Sequence, residues 1–231
     1  MDPYSILKNL SIAAIPLLFA IIFHEIAHGW VANRLGDPTA KQMGRLTINP
    51  IVHIDIFGTI IMPIILLIFS HGNFSFGYAK PVPVNPFNLR NPKRNMAIVS
   101  FAGPATNIFL AAISILLVII IAALQLSTLL PQFLASKLLI PVSQMLSFSA
   151  TINIFLAAFN LIPIPPLDGG RVLIGLLPDR YAYSFSKIEP YGFMIVFALI
   201  ILGITDYFVI PVATVIRGLL ILIFSPLRVL L

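Results

Sequence analysis

IAAIPLLFAIIFHEIAHGWVANRLGDP, residues 12–38, decides the fold. From Ile12 to Phe23 the chain carries no charge, and His24, Glu25 and His28 then appear before the apolar run has ended. Such a run predicts a membrane-spanning helix, and Gly36-Asp37-Pro38 predicts its end. On that helix His24 and His28 share a face at i and i+4, so both imidazoles can address one metal ion. Glu25 beside them suits a general base that takes a proton from metal-activated water. A glutamate within a span costs on the order of 2.5 kcal/mol or more at mid-depth. The triplet therefore reads as functional.

The rest of the composition agrees with a polytopic membrane protein. The 231 residues are 59% hydrophobic and only 10% charged, against about 25% charged in soluble domains; mean hydropathy is +1.02. The expected fold is all-α, with about five to six apolar segments in a single membrane domain over residues 1–231. A catalytic core at about 7–175 is followed by accessory C-terminal helices at about 190–228. The first apolar stretch is read as a retained helix, because cleavage near it would discard His24 and His28. Without cysteine, a metal must be held by His, Asp or Glu. The net charge of +6 comes from residues flanking apolar runs, which points to lipid and orientation, not to nucleic acid.

Outward from the first segment, Gly44–Pro50 is short and turn-bounded and reads as a strand. Phe57–Ser70, about 14 apolar residues, is too short for an ordinary span of about 20. Phe74–Asn85 contains Gly77, Pro81 and Pro83 and reads as extended, and His71 between them as a loop residue. Longer segments follow at about Met96–Leu126 and Pro141–Ile162, with two final apolar stretches at Tyr191–Ile204 and Phe208–Phe224. If the first segment ends in the cytoplasm, the cytoplasmic loops collect Arg34, Lys41, Arg45, Lys80, Arg90, Lys93, Arg94, Arg171, Arg180 and Lys187. The opposite side receives Lys8 and Lys137, so the N-terminus is expected outside and the histidines near the cytoplasm. This works if Phe57–Asn85 is re-entrant, a short helix and an extended return beside the active site.

A catalytic zinc commonly takes three protein ligands, and the candidates for the third are His53, Asp55, His71, Asp168, Asp179, Glu189 and Asp206. Asp168 stands out. It follows a proline-broken helix end, and Gly169 and Gly170 permit close backbone approach. Asn160 and Asn107 are candidates for hydrogen bonding the substrate backbone or a developing oxyanion, with an interhelical polar contact as the alternative. His53 and Asp55 read as interfacial hydrogen-bonding groups or as partners of the metal-bound imidazoles. Arg217, inside the last apolar stretch, reads as a snorkelling or interfacial residue without a catalytic role.

Together these residues resemble the site-2 protease family of intramembrane metalloproteases. The resemblance rests on HEIAHG at His24–Gly29, GRLTINP at Gly44–Pro50, the residues around His53–Thr59 and AKPVPVNP at Ala79–Pro86. It continues through AGPATN at Ala102–Asn107 and NLIPIPPLDGGR at Asn160–Arg171. It implies that His24, His28 and Asp168 bind zinc, that Glu25 is the general base, and that a substrate transmembrane helix is cut near the cytoplasmic face. It also implies a compact prokaryotic form, without room for a PDZ domain and without a CBS pair. A membrane metal or ion transporter using the His/Asp site is the competing function, but no second half with matching broken helices is visible. An inactive scaffold would not need Glu25.

Overall fold

The structure is a computed structural model that describes residues 3–69, 77–126, 131, 133 and 135–228; His71 lies outside the described residues. Helix α1 spans Pro3–Arg34, α2 Thr39–Gln42, α3 Met62–Phe69, α4 Pro92–Leu126 and α5 Ile140–Asn160. Helix α6 spans Asp168–Leu176, α7 Asp179–Ser186, α8 Glu189–Ile201 and α9 Asp206–Arg228. Four helical stretches are long and apolar enough to cross a membrane: Ile12–Arg34, Pro92–Gln125, Ala135–Asn160 and Asp206–Leu227. A fifth is possible if α7 and α8, bent by 67° at their junction, form one broken span.

Helices α1 and α4 pack on each other and both pack on α5, while α9 lies against α4 and α5. Alanines and branched aliphatic residues make these contacts. Ala111, Ala157, Ile154, Ile216 and Leu220 form one buried cluster, and Ala158, Ile162 and Val209 another. The pattern is that of a bundle in lipid, where close packing rather than water exclusion draws helices together. Phe109 and Leu222 face outward, whereas Asn107, Asn153 and Ser114 are buried.

Two polar connections shape the end of the bundle that holds the histidines. The segment after α1 turns through Gly36 and Gly44, both at positive φ, and runs to a 3-10 turn at Pro50–His53 and a π-helical turn at Ile56–Ile61. Residues 77–85 then return extended. Tyr78 N–H donates to Gly58 O at 3.0 Å, Lys80 N–H to His53 O at 2.9 Å, and Arg90 N–H to Leu35 O at 3.3 Å. The chain thus comes back to the end of α1 that it left.

The expected strands do not form among the described residues. Gly44–Pro50 is a series of turns and bends, because Gly44 N–H closes back on Lys41 O and Asn49 caps the following 3-10 turn. Residues 77–85 are extended but unladdered. Their neighbour at 53–58 is coiled into helical turns, and Pro81 and Pro83 have no N–H to offer.

The buried Asp37 carboxylate ties the two connections together. Its Oδ1 accepts from Thr39 N–H at 3.1 Å, from the Thr39 hydroxyl and from Asn88 Nδ2 at 2.9 Å. Oδ2 accepts from Asn85 N–H at 2.7 Å. Burial alone would raise its pKa, but these bonds outweigh burial and hold it below the usual carboxylate range. The folded-state value is depressed, so the contribution to stability is complete above the unfolded value and lost as pH falls through the folded one. Asp37→Asn turns one acceptor into a donor that faces a donor, and should cost about 1–3 kcal/mol at neutral pH. Thermal unfolding in detergent between pH 7 and pH 3 checks this: the gap between wild type and variant should narrow on acidification.

Candidate metal centre

His24 and His28 lie one turn apart on α1, and Asp168 is the first residue of α6. There the unbonded N–H groups of the helix start favour a carboxylate. The three side chains converge: their ligand atoms all lie within 4.8 Å of one another. His24 Nε2 is 3.1 Å from Asp168 Oδ2, and His28 Nε2 is 3.4 Å from Oδ1.

The surrounding hydrogen bonds assign the imidazole protons. His28 Nδ1 lies 2.7 Å from the carbonyl oxygen of Val99, a pure acceptor, so Nδ1 carries the hydrogen. His24 Nδ1 lies 2.6 Å from Asn107 Oδ1. The Asn107 amide is oriented by its own partners, since Nδ2 donates to Ala20 O at 3.2 Å and to Asn153 Oδ1 at 2.8 Å. Asn153 is oriented in turn by donation to Ser149 O at 2.9 Å. Main-chain carbonyls at the ends of this relay leave the Asn107 oxygen facing His24, so its Nδ1 must donate. In their neutral form both rings therefore present bare Nε2 lone pairs to the centre.

Those lone pairs are 3.0 Å apart, and Asp168 Oδ2 is buried beside them without a hydrogen-bond partner. Two neutral imidazoles and a carboxylate held this closely repel one another unless a proton or a metal cation lies among them. Two imidazoles and a carboxylate on a buried site are a donor set for zinc, with Nδ1–H groups held as they are in zinc proteins. Gly103 supplies the room: a Cβ there would come within 2.5 Å of His24 Cε1 and His28 Nε2.

Glu25 lies on the same helix and faces the same cavity, of about 340 Å³, which also reaches Asn160, Arg171 and Phe193. Its Oε2 accepts from Val82 N–H at 2.7 Å. The extended segment is held in place from behind by Arg45, itself 6% exposed, which donates through one nitrogen to Lys80 O at 2.7 Å and Pro81 O at 3.3 Å. Gly29 lets this layer approach, because a Cβ there would meet Leu46, Ala40 and Val82 within 2.9 Å.

The other expected residues sort as follows. Asn160 is on the cavity wall and donates to Leu156 O at 3.0 Å. Asn107 is fully buried with both ends of its amide engaged, away from the cavity lining. His53 reaches Thr47 O at 2.9 Å and Asp55 caps Gly58 N–H at 2.7 Å, so neither touches a metal-facing imidazole. Asp179 pairs with Lys93 at 2.6 Å and Glu189 with Arg171 at 2.8 Å. Sequence reasoning missed Asn153, Arg45 and Asp37. Asn153 had a signal, a lone amide within an apolar helix; the other two sit in loops where position carries none.

The chain matches peptidase family M50 over residues 12–203. Its relatives described as "Putative zinc metalloprotease" include proteins from three different organisms. YwhC of Bacillus subtilis is 34% identical over 211 residues, covering 91% of this chain and 90% of its own. Rip2 of Mycolicibacterium smegmatis is 27% identical over 191 residues, 80% of this chain and 64% of its own. MJ0611 of Methanocaldococcus jannaschii is 30% identical over 155 residues, 66% of this chain and 63% of its own. No solved structure matches. With the HEIAH helix and the LDG aspartate brought to one point, the match along most of its length means that this chain belongs to peptidase family M50, the site-2 protease family.

Proposed function

We propose that this chain is an intramembrane zinc metalloprotease in which His24, His28 and Asp168 hold the metal and Glu25 moves the proton. One observation carries the reading: three acceptor atoms converge while both imidazole Nδ1 protons are committed elsewhere. Zinc held by these three side chains would supply Lewis acidity, acidifying a water and polarising a carbonyl. Glu25, anchored at Oε2 by Val82 N–H, keeps Oε1 for the proton taken from water and later given to the leaving amine. The chain's family and its metal-site chemistry favour hydrolysis over transport.

Substrates are transmembrane proteins. A helix hides its carbonyls in i→i−4 bonds, so a substrate must unwind locally before it fits the cavity. The extended residues 77–85 pass beside Glu25 and offer a backbone edge to such an unwound stretch. Asn160 uses one amide N–H on Leu156 O and has the second for a substrate carbonyl or oxyanion. For Asn107 the buried bond to His24 supports the interhelical reading: it orients a ligand and does not meet substrate.

Positive-inside asymmetry supports an active site toward the cytoplasmic side of the cell membrane. The return of residue 90 to Leu35 supports a re-entrant 57–85 segment. Residues of α1, α4, α5 and α6 make the centre, which supports a core at about 7–175 with α8 and α9 as accessories.

Asp168→Ala should lose most of the zinc bound by purified wild-type protein, measured by elemental analysis; full occupancy in the variant would overturn the ligand assignment. Glu25→Gln keeps shape and metal but cannot take the proton, so cleavage of a membrane substrate should fall at least about a hundredfold. Turnover near wild type with zinc present would remove Glu25 from the role. Single cysteines at Lys41 and Arg90, both exposed, test the orientation in a chain that has no native thiol. In right-side-out vesicles both should stay unlabelled by an impermeant reagent, and both should react after permeabilisation. Labelling of position 90 alone before permeabilisation would show that 57–85 crosses.

A further inference from the structure

A groove of about 470 Å³ runs between α4, α5 and α9 and shares no lining residue with the catalytic cavity. Asp206 and Arg217 both line it. Eleven residues make about three helical turns and about 16 Å of rise, so the two lie on one face of α9 at different depths. Asp206 opens the span Asp206–Leu227 and Arg217 falls at its middle, near the centre of a hydrocarbon layer about 30 Å thick. Arg217 is exposed, and among the described residues no hydrogen bond or ion pair reaches it.

A guanidinium at that depth is costly unless it pairs with an acceptor, and none of the described residues pairs with it. Lipid phosphates lie at the surface, a half-thickness away. A second parallel copy related by a two-fold along the membrane normal brings Arg217 level with Arg217. Apart from Glu25 in the catalytic cavity and Glu189, which pairs with Arg171 at the bend between α7 and α8, no described carboxylate lies in the middle of a span. The groove walls are suited to a helix, because Ser147 and Thr151 on α5 and Ala213 and Thr214 on α9 are small enough for backbones to approach closely.

We propose that this groove docks a single transmembrane helix of another membrane protein, carrying an Asp or Glu near its centre that pairs with Arg217. Such a partner sits in a groove that shares no lining residue with the catalytic cavity, so it can stay bound while substrate enters there.

The test uses the full chain in lipid nanodiscs and two synthetic single-span peptides, identical apart from a central Glu or Gln, with binding read by energy transfer. Wild type should bind the Glu peptide about threefold to thirtyfold tighter than the Gln peptide. Arg217→Leu should erase the difference while keeping wild-type zinc content, and Arg217→Glu should prefer a peptide with a central Lys. Equal binding of the Glu and Gln peptides by wild type, or a Glu preference surviving in Arg217→Leu, would overturn the proposal. So would self-association of wild type that depends on Arg217, or an Arg217 effect confined to retention of anionic lipid.

Discussion

Two neutral imidazoles whose Nε2 atoms lie 3.0 Å apart beside a carboxylate repel one another, because each Nδ1 already carries the ring's proton. This electrostatic conflict is what the rest of the bundle is arranged around. Helix α1 contributes both rings, α4 turns them through the Val99 carbonyl and the Asn107 amide, and α5 fixes that amide through Asn153. The start of α6 brings Asp168. Four elements far apart in sequence thus meet at one point, and Gly103 leaves the space there, because a Cβ would come within 2.5 Å of both rings.

A second layer of polar contacts governs access. The connections rich in proline, glycine and asparagine have few apolar groups to bury, so their position depends on individual ion and amide contacts. Asp37 gathers one end of the returning segment and Arg45 holds its middle. Both are buried although they belong to loops, and burial strengthens each bond by removing competing water. Precision near the metal is therefore achieved outside the spans as well as within them.

The His24, His28 and Asp168 cluster was legible in the sequence because its signals are local. HEIAH declares its face through a four-residue spacing, and LDGG declares an unwound helix end through its prolines and glycines. The long spans were legible from hydropathy. Residues whose meaning depends on another helix were not. Asn107 reads equally well as a substrate contact or a packing contact until Ala20 O and Asn153 are seen beside it. Gly44–Pro50 and residues 77–85 have the composition of strands, but a strand needs a straight neighbour, and no local pattern reveals that residues 53–58 coil. Arg217 was visible as an anomaly, without the groove that gives it a setting.

The contact between Val82 N–H and Glu25 Oε2 has an evolutionary reading. The carboxylate belongs to α1, but its aim is set by a backbone amide 57 residues away, and that N–H survives any change of its side chain except to proline. Substitutions at Val82, or in the loop behind it, can vary the shape of the cleft while the grip on Glu25 persists. The cleft can then diversify toward new cargo faster than the chemistry degrades, leaving selection free to work on recognition and turnover separately.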